Sequence, residues 1–151
     1  MLLPLGSTAD GPRPAWLGGC IRIKPGRMIE DLIKGHVKAF NARDPGALMA
    51  GFADDAVWIT GKTTARGRAE FADLFAGAMK GLLPTLAIQN LIAGEGQAAA
   101  QLVEVFTFEG AERTDHIAGF YVIKQGRIAA AKIYREGSAL RTRCPPPPAG
   151  R

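Results

Sequence analysis

The sequence predicts an α+β fold in which three N-terminal helices pack on a strongly curved antiparallel sheet that forms a cone with an apolar pocket. Apolar residues recur at helical spacing early in the chain, alternating apolar and polar residues fill much of residues 85–135, and short Gly-containing breaks separate the alternating stretches. Consecutive strands on short turns favour antiparallel pairing, so the predicted element order is ααβαββββ.

The first predicted helix runs from Met28 to Asn41. His36 lies at a position where helical spacing calls for a residue of the apolar face, whose other members are Ile29, Leu32, Ile33, Val37 and Phe40. A short second helix follows, with Asp44 as its expected N-cap and Pro45 at its first position, where a missing N–H is harmless.

The third helix is predicted from Arg68 to Leu82, since apolar residues recur on one face and Gly81 and Pro84 close the pattern. Residues 61–67 and 110–114 are predicted to be loops. The strands are predicted at residues 56–60, 85–93, 97–108, 116–124 and 127–135.

The positive charge of the chain lies outside the predicted domain, which argues against nucleic-acid binding. Residues 28–140, the predicted domain, hold 12 Lys and Arg against 13 Asp and Glu, so the formal net charge of +5 comes from the ends of the chain. Residues 1–27 are predicted to be a disordered segment or an extension, and residues 141–151 a Pro-rich disordered tail. A nucleic-acid module would carry its positive charge on the folded surface.

No apolar run is long enough to cross a bilayer, and the chain start lacks the basic residues of a secretory signal. The two cysteines, Cys20 and Cys144, have no metal-binding or redox spacing. We therefore expect a cytoplasmic protein with no membrane partner, no metal site and no cofactor.

Glu104 is the first candidate for chemistry. Alternation along its strand places it in an otherwise apolar row with Leu102 and Phe106. A carboxylate buried among apolar groups is costly unless it is paired or protonated, and such a group suits acid–base catalysis. The alternative is that Val103 and Val105 face inward and Glu104 meets solvent.

His36 is the second candidate, because it should point from the first helix toward the sheet and can donate, accept or shuttle a proton. The alternative is a core histidine satisfied by one hydrogen bond. Trp58 and Thr60 share one strand face and are expected to line the pocket, while Asp115 and His116 are expected at a polar rim. Arg135 and Glu136 are expected to form a surface pair of little energetic value.

Four sequence segments, in this order and spacing, resemble SnoaL-like and ketosteroid-isomerase-like proteins of the nuclear transport factor 2-like superfamily. They are Asn41–Asp44, Phe52–Ala56, Gly67–Phe71 and Phe120–Tyr134. The resemblance covers about residues 28–140 and implies a cone fold with a pocket for a small hydrophobic molecule.

The family's catalytic positions are mostly occupied by other residue types. The catalytic Asp of ketosteroid isomerases falls on Thr60, the tyrosine of their oxyanion hole on His36, and their protonated Asp near Ala118. The Arg-x-Asp and last-strand Asp of limonene-epoxide-hydrolase-like enzymes fall on Leu102, Glu104 and Ile133. The Asp of SnoaL-like polyketide cyclases falls in residues 129–133, which contain no acid.

Two functional hypotheses follow. The first is a cofactor-free acid–base enzyme, of isomerase, cyclase, hydratase or epoxide-hydrolase type, with Glu104 and His36 catalytic. Its substrate would be a small, mostly apolar molecule in a pocket formed by Trp58, Thr60, Leu102, Phe106, His116, Ala118, Phe120 and Ile133. The second is a non-catalytic ligand-binding or dimerising module. A homodimer through the sheet is expected, with Val103, Val105 and Tyr121 as candidates for the outer face.

Overall fold

The computed structural model describes residues 24–136. It contains the helices and strands α1 (Pro25–Asn41), α2 (Pro45–Ala50), β1 (Phe52–Thr60), β2 (Thr63–Arg66), α3 (Gly67–Lys80), β3 (Thr85–Gly94), β4 (Gln97–Phe108), β5 (Ala111–Lys124) and β6 (Arg127–Arg135). The six strands form one sheet in the order β2-β1-β6-β5-β4-β3. The predicted fold class, three helices on a curved sheet, is confirmed.

Helix α1 begins three residues earlier than predicted, at Pro25, because proline fits the first turn of a helix. Its predicted apolar face is buried or half-buried against the sheet. The carboxylate of Asp44 caps α2 by accepting a hydrogen bond from the backbone N–H of Ala47 at 2.9 Å, as predicted. Residues 1–23 of the predicted N-terminal segment, the last four residues of the predicted domain and the whole predicted tail, residues 141–151, lie outside the described residues.

Strand β2 lies in the segment predicted to be a loop, where its four residues pair with the end of β1. Three of the four are exposed, so this edge strand has no apolar alternation by which it could be recognised. The loop predicted at residues 110–114 is likewise wrong. Glu109 and Gly110 form a two-residue turn with positive φ angles of 52° and 76°, and β5 begins directly after it at Ala111.

Four of the five strand pairings in the described sheet are antiparallel, but β1 and β6 pair in parallel. This departs from the predicted all-antiparallel sheet. The reason is topological: α3 and four further strands separate β1 from β6 in the chain, so no short turn dictates their relative direction.

The core lies between the concave face of the sheet and helices α1 and α3. Phe52, Phe71 and Phe75 form its aromatic centre, with ring centroids 4.8 to 6.2 Å apart. Asn41, at the end of α1, fixes this helix to β3: its side-chain amide donates to the Leu86 carbonyl and accepts from the Leu86 N–H, both at 2.8 Å. Within residues 24–136, no helix is long and apolar enough to span a membrane.

Candidate functional site

A cavity of about 120 Å³ lies between the inner face of the sheet and helices α1 and α3. Its walls are mostly apolar and include Leu74 and Phe75 of α3, Leu102 of β4, Ile117 of β5 and Ile133 of β6. An engineered apolar cavity of ~150 Å³ holds one benzene molecule, so this inner cavity has room for about one six-membered ring.

At its buried end, the inner cavity is lined by His36 of α1. The imidazole packs against aromatic rings on several sides, with Phe52 at 5.3 Å, Trp58 at 5.5 Å and Tyr121 at 6.4 Å between ring centroids. Burial lowers the pKa of His36 from 6.5 to about 4, because the charged form loses its hydration. His36 is therefore neutral at pH 7 and suited to exchange a hydrogen bond with an uncharged ligand.

The Nδ1 atom of His36 is the sole fully buried side-chain nitrogen or oxygen without a hydrogen-bond partner among residues 24–136. The Nε2 atom does not belong to that class, and no hydrogen bond of His36 is present in the described part of the chain. His36 lines the inner cavity, so its imidazole is placed to exchange a hydrogen bond with a ligand there. Among residues 24–136, the single hydrogen bond of the predicted alternative is absent.

Tyr121 also lines the buried end, on β5, and is 3% exposed. Its ring folds back along its own strand over Gly119: a Cβ atom added to Gly119 would lie 2.5 Å from the phenol oxygen and 2.7 Å from two ring carbons. Only glycine leaves room for the ring in this position. Burial raises the pKa of Tyr121 to about 12, so the phenol keeps its proton and remains a hydrogen-bond donor.

The other end of the cavity, its charged mouth, is formed by Glu104, Arg135 and Asp115. Glu104 is 7% exposed, and its carboxylate accepts two hydrogen bonds from the Arg135 guanidinium, the second of them at 3.3 Å. The nitrogen that donates the first of these bonds, Nη1, also lies 3.8 Å from the Asp115 carboxylate. A bidentate Arg–carboxylate pair is among the strongest hydrogen-bonded pairs in proteins, and here it balances the charge of a buried glutamate.

Cross-strand register explains why these three residues meet. Glu104 and Asp115 are direct partners on β4 and β5, so their side chains project from the same face of the sheet. Arg135 pairs with Ile117, two residues beyond Asp115 on β5. Two carboxylates directly opposite each other repel, and the guanidinium between them reduces that repulsion.

Six of the residues predicted for the site line the inner cavity: His36, Trp58, Thr60, Leu102, Glu104 and Ile133. The inward orientation of Glu104 is confirmed, and the alternative in which Val103 and Val105 face the core is wrong. Glu104 and His36 both line the cavity, but no hydrogen bond joins them. The Glu104 carboxylate accepts its hydrogen bonds from Arg135 instead.

Four other predicted residues do not line the inner cavity. His116, Ala118 and Phe120 lie on the opposite face of the sheet, because the inward residues of β5 are Ile117, Gly119, Tyr121 and Ile123. A shift of one residue along a strand reverses the face of every side chain, and the predicted positions on β5 carry that shift. Phe106 is on the inner face but lines an adjacent outer pocket.

The sequence prediction missed the roles of Tyr121 and Arg135. Asp115 lies at the charged mouth, in agreement with the polar rim expected for it, whereas His116 lies on the other face of the sheet. Tyr121 was expected on the outer face, although Ile117 and Ile123, at even spacing from it, could have indicated the inner one. Arg135 was expected to pair with Glu136 and instead pairs with Glu104, 31 residues away. No local pattern indicates that contact.

The sequence matches the SnoaL-like domain family over residues 33–131. This match covers more than half of the chain and most of its helices and strands. The chain belongs to the SnoaL-like domain family. A comparison with curated proteins finds no match.

Solved structures similar to this SnoaL-like chain include an LEH-like epoxide hydrolase from M. tuberculosis, with a TM-score of 0.64 and 18% identity over 72% of this chain and 83% of the other. The epoxide hydrolase/cyclase-like enzyme SalBIII has a TM-score of 0.65 and 17% identity over 71% and 89%. A protein from Catenulispora acidiphila with a ketosteroid isomerase-like fold has a TM-score of 0.64 and 16% identity over 69% and 84%. At these identities the similarity establishes the fold alone.

Proposed function

We propose that this SnoaL-like protein binds a small, mostly apolar molecule in the inner cavity and acts on it as a cofactor-free acid–base enzyme of isomerase, cyclase or epoxide-hydrolase type. The observation that carries the proposal is the buried Glu104 carboxylate, which lies at the wall of a mostly apolar cavity. Carboxylates in such positions can move a proton between carbon and oxygen without a cofactor. The fold similarity to an epoxide hydrolase and to an epoxide hydrolase/cyclase-like enzyme supports this class of reaction.

The two ends of the cavity suggest a division of roles. Glu104, at the charged mouth, would take up or deliver the proton. The neutral imidazole of His36 and the protonated phenol of Tyr121, at the buried end, would hydrogen-bond a carbonyl, enol or epoxide oxygen. The cavity size favours a substrate whose reacting part is a single ring.

Proton transfer can be tested without knowledge of the true substrate. We expect the protein to accelerate exchange of the α-protons of cyclohexanone in D₂O, or hydrolysis of cyclohexene oxide, measured by NMR. In Glu104→Gln the acceleration should fall about 100-fold or more, since a positioned general base contributes ~10²–10⁴-fold. Glu112→Gln, an exposed carboxylate on the same hairpin, is the control and should leave the rate unchanged. Equal rates in wild type and Glu104→Gln would remove Glu104 from the mechanism.

The second candidate function is a non-catalytic ligand-binding or dimerising module. It is favoured by the outer face of the sheet, which exposes 73% of Ile92, 54% of Phe120 and 49% of Tyr134. The rings of Phe120 and Tyr134 are in edge-to-face contact at 5.8 Å. Because contiguous exposed apolar surface marks interfaces, we propose that two copies of the chain pair through this face.

The dimer is tested by analytical ultracentrifugation. We expect wild type to sediment as a dimer and Phe120→Glu as a monomer, because each copy would place a charge in the apolar interface. Leu83→Glu, which is 57% exposed in the connection between α3 and β3, is the control and should remain dimeric. A monomeric wild type would contradict the dimer without affecting the assignment of the inner cavity.

A further inference from the structure

Two separate spaces meet at the charged mouth. Beyond the inner cavity lies an outer pocket of about 310 Å³, which has Leu82, Pro84 and Phe106 as apolar walls and Asp115 at its polar side. Ala78, Glu104 and Arg135 line both spaces. The Glu104–Arg135 ion pair is therefore part of the partition between the inner cavity and the outer pocket.

The partition determines how large a ligand the site can hold. Alone, the inner cavity is smaller than the ~300–1,000 Å³ typical of small-molecule sites. The outer pocket, if joined to it, brings the combined space into that range. The walls on both sides of the ion pair are apolar, so the joined site suits a molecule with a ring head and an apolar extension.

Of the two residues in the ion pair, Arg135 is the one that can move. Its side chain is 42% exposed, whereas that of Glu104 is 9% exposed, so the arginine is the partner with access to solvent. Asp115, on the neighbouring strand, already lies 3.8 Å from the guanidinium and offers a second carboxylate. A guanidinium has five N–H donors, so Arg135 keeps an ionic partner when it turns to Asp115. The cost of this step is that the buried Glu104 carboxylate loses its cation, and a ligand that fills the joined space has to offset it.

We propose that Arg135 is a specificity-determining residue that sets the length of the accepted substrate. Paired with Glu104, it confines ligands to the inner cavity; turned to Asp115, it joins the inner cavity to the outer pocket for a longer apolar molecule. This inference rests on the proposed function in one respect, namely that the inner cavity binds a ligand.

Two probes of different length test the inference by isothermal titration calorimetry of the full chain. Phenol matches the inner cavity, and 4-hydroxybiphenyl adds a second ring that must cross the partition. In Glu104→Gln/Arg135→Ala, which removes the partition without leaving a buried carboxylate unpaired, we expect 4-hydroxybiphenyl to bind at least tenfold tighter. The affinity for phenol should change less than threefold.

Asp115→Asn provides the complementary test, because it removes the second carboxylate and leaves the Glu104–Arg135 pair intact. It should weaken 4-hydroxybiphenyl about fivefold to tenfold and leave phenol unchanged. Asp73→Asn, an exposed carboxylate on α3, is the control for charge alone and should change neither affinity. A crystal structure of the 4-hydroxybiphenyl complex should place the Arg135 guanidinium on Asp115.

The outcomes separate this inference from the proposed function. If both probes bind and respond alike to the variants, or respond to none, the inference is wrong and the inner cavity remains a ligand site. If neither probe binds the wild-type protein, both the inference and the proposed ligand site are overturned.

Discussion

The buried end and the charged mouth of the inner cavity accommodate polar groups in opposite ways. At the buried end, His36 and Tyr121 are neutral, since burial lowers the pKa of the imidazole to about 4 and raises the pKa of the phenol to about 12. At the mouth, Glu104 is paired with an arginine that reaches solvent. A polar group near solvent can recruit an ionic partner, whereas one enclosed by aromatic rings is kept uncharged.

The largest effect expected from this comparison is an acid sensitivity caused by His36. Because its pKa is about 4 when folded and about 6.5 when unfolded, the unfolded chain binds more protons between these pH values. The free energy of unfolding should therefore fall as the pH drops through this window, by about 2 kcal/mol between pH 7.5 and pH 5 and about 3 kcal/mol in full. Above pH 7 this group should have no effect.

Urea unfolding at pH 7.5 and pH 5 measures this sensitivity. His36→Phe should lose the part of the pH dependence that comes from His36, whereas His116→Gln, an exposed histidine on the outer face, should retain it. If the pH dependence persists undiminished in His36→Phe, His36 is not held neutral by burial and the two ends of the cavity are less different than described.

A smaller effect should follow from Gly119, on which the position of the Tyr121 ring depends. Gly119→Ala places a methyl group where the ring lies, so we expect a loss of about 1–2 kcal/mol in the free energy of unfolding from overpacking. The matched control is Gly94→Ala at the end of β3, where an added Cβ meets no atom within 4 Å.

Phenol affinity distinguishes a local change from general destabilisation. Because the added methyl group displaces the Tyr121 side chain, Gly119→Ala should bind the ligand phenol more weakly than wild type does. Tyr121→Phe, which lacks the hydroxyl group, should also bind phenol more weakly. If Gly119→Ala is destabilised but binds phenol as wild type does, the glycine supports the strand and does not position the tyrosine.

The elements that the sequence predicted are those with strong local patterns. The face of α1 follows from spacing alone. Alternation along β4 predicts that Glu104 shares a face with Leu102, but it leaves open which face is buried, because Val103 and Val105 make the other face apolar as well. Strand β2 and the first residues of β5 were missed because they are short or polar and are ordered by hydrogen bonds to a neighbouring strand.

The chemistry of the mouth depends on contacts that no local pattern encodes. The loop prediction at residues 110–114 hides the start of β5, so the pairing of Asp115 with Glu104 on the neighbouring strand has no local signal. Arg135 reaches Glu104 only because β6 lies beside β5 in the sheet. The faces of β5 are decided by register with β4, which the sequence of β5 alone leaves ambiguous.

The parallel pairing of β1 with β6 has a consequence for synthesis on the ribosome. Val57 pairs with Ala130, so the chain must be made almost to the end of its described part before β1 gains this neighbour. Contacts between residues so distant in sequence form slowly and late in folding. Because Arg135 is the last residue of β6, Glu104 leaves the ribosome before its cation and gains this partner only when the end of β6 has been made.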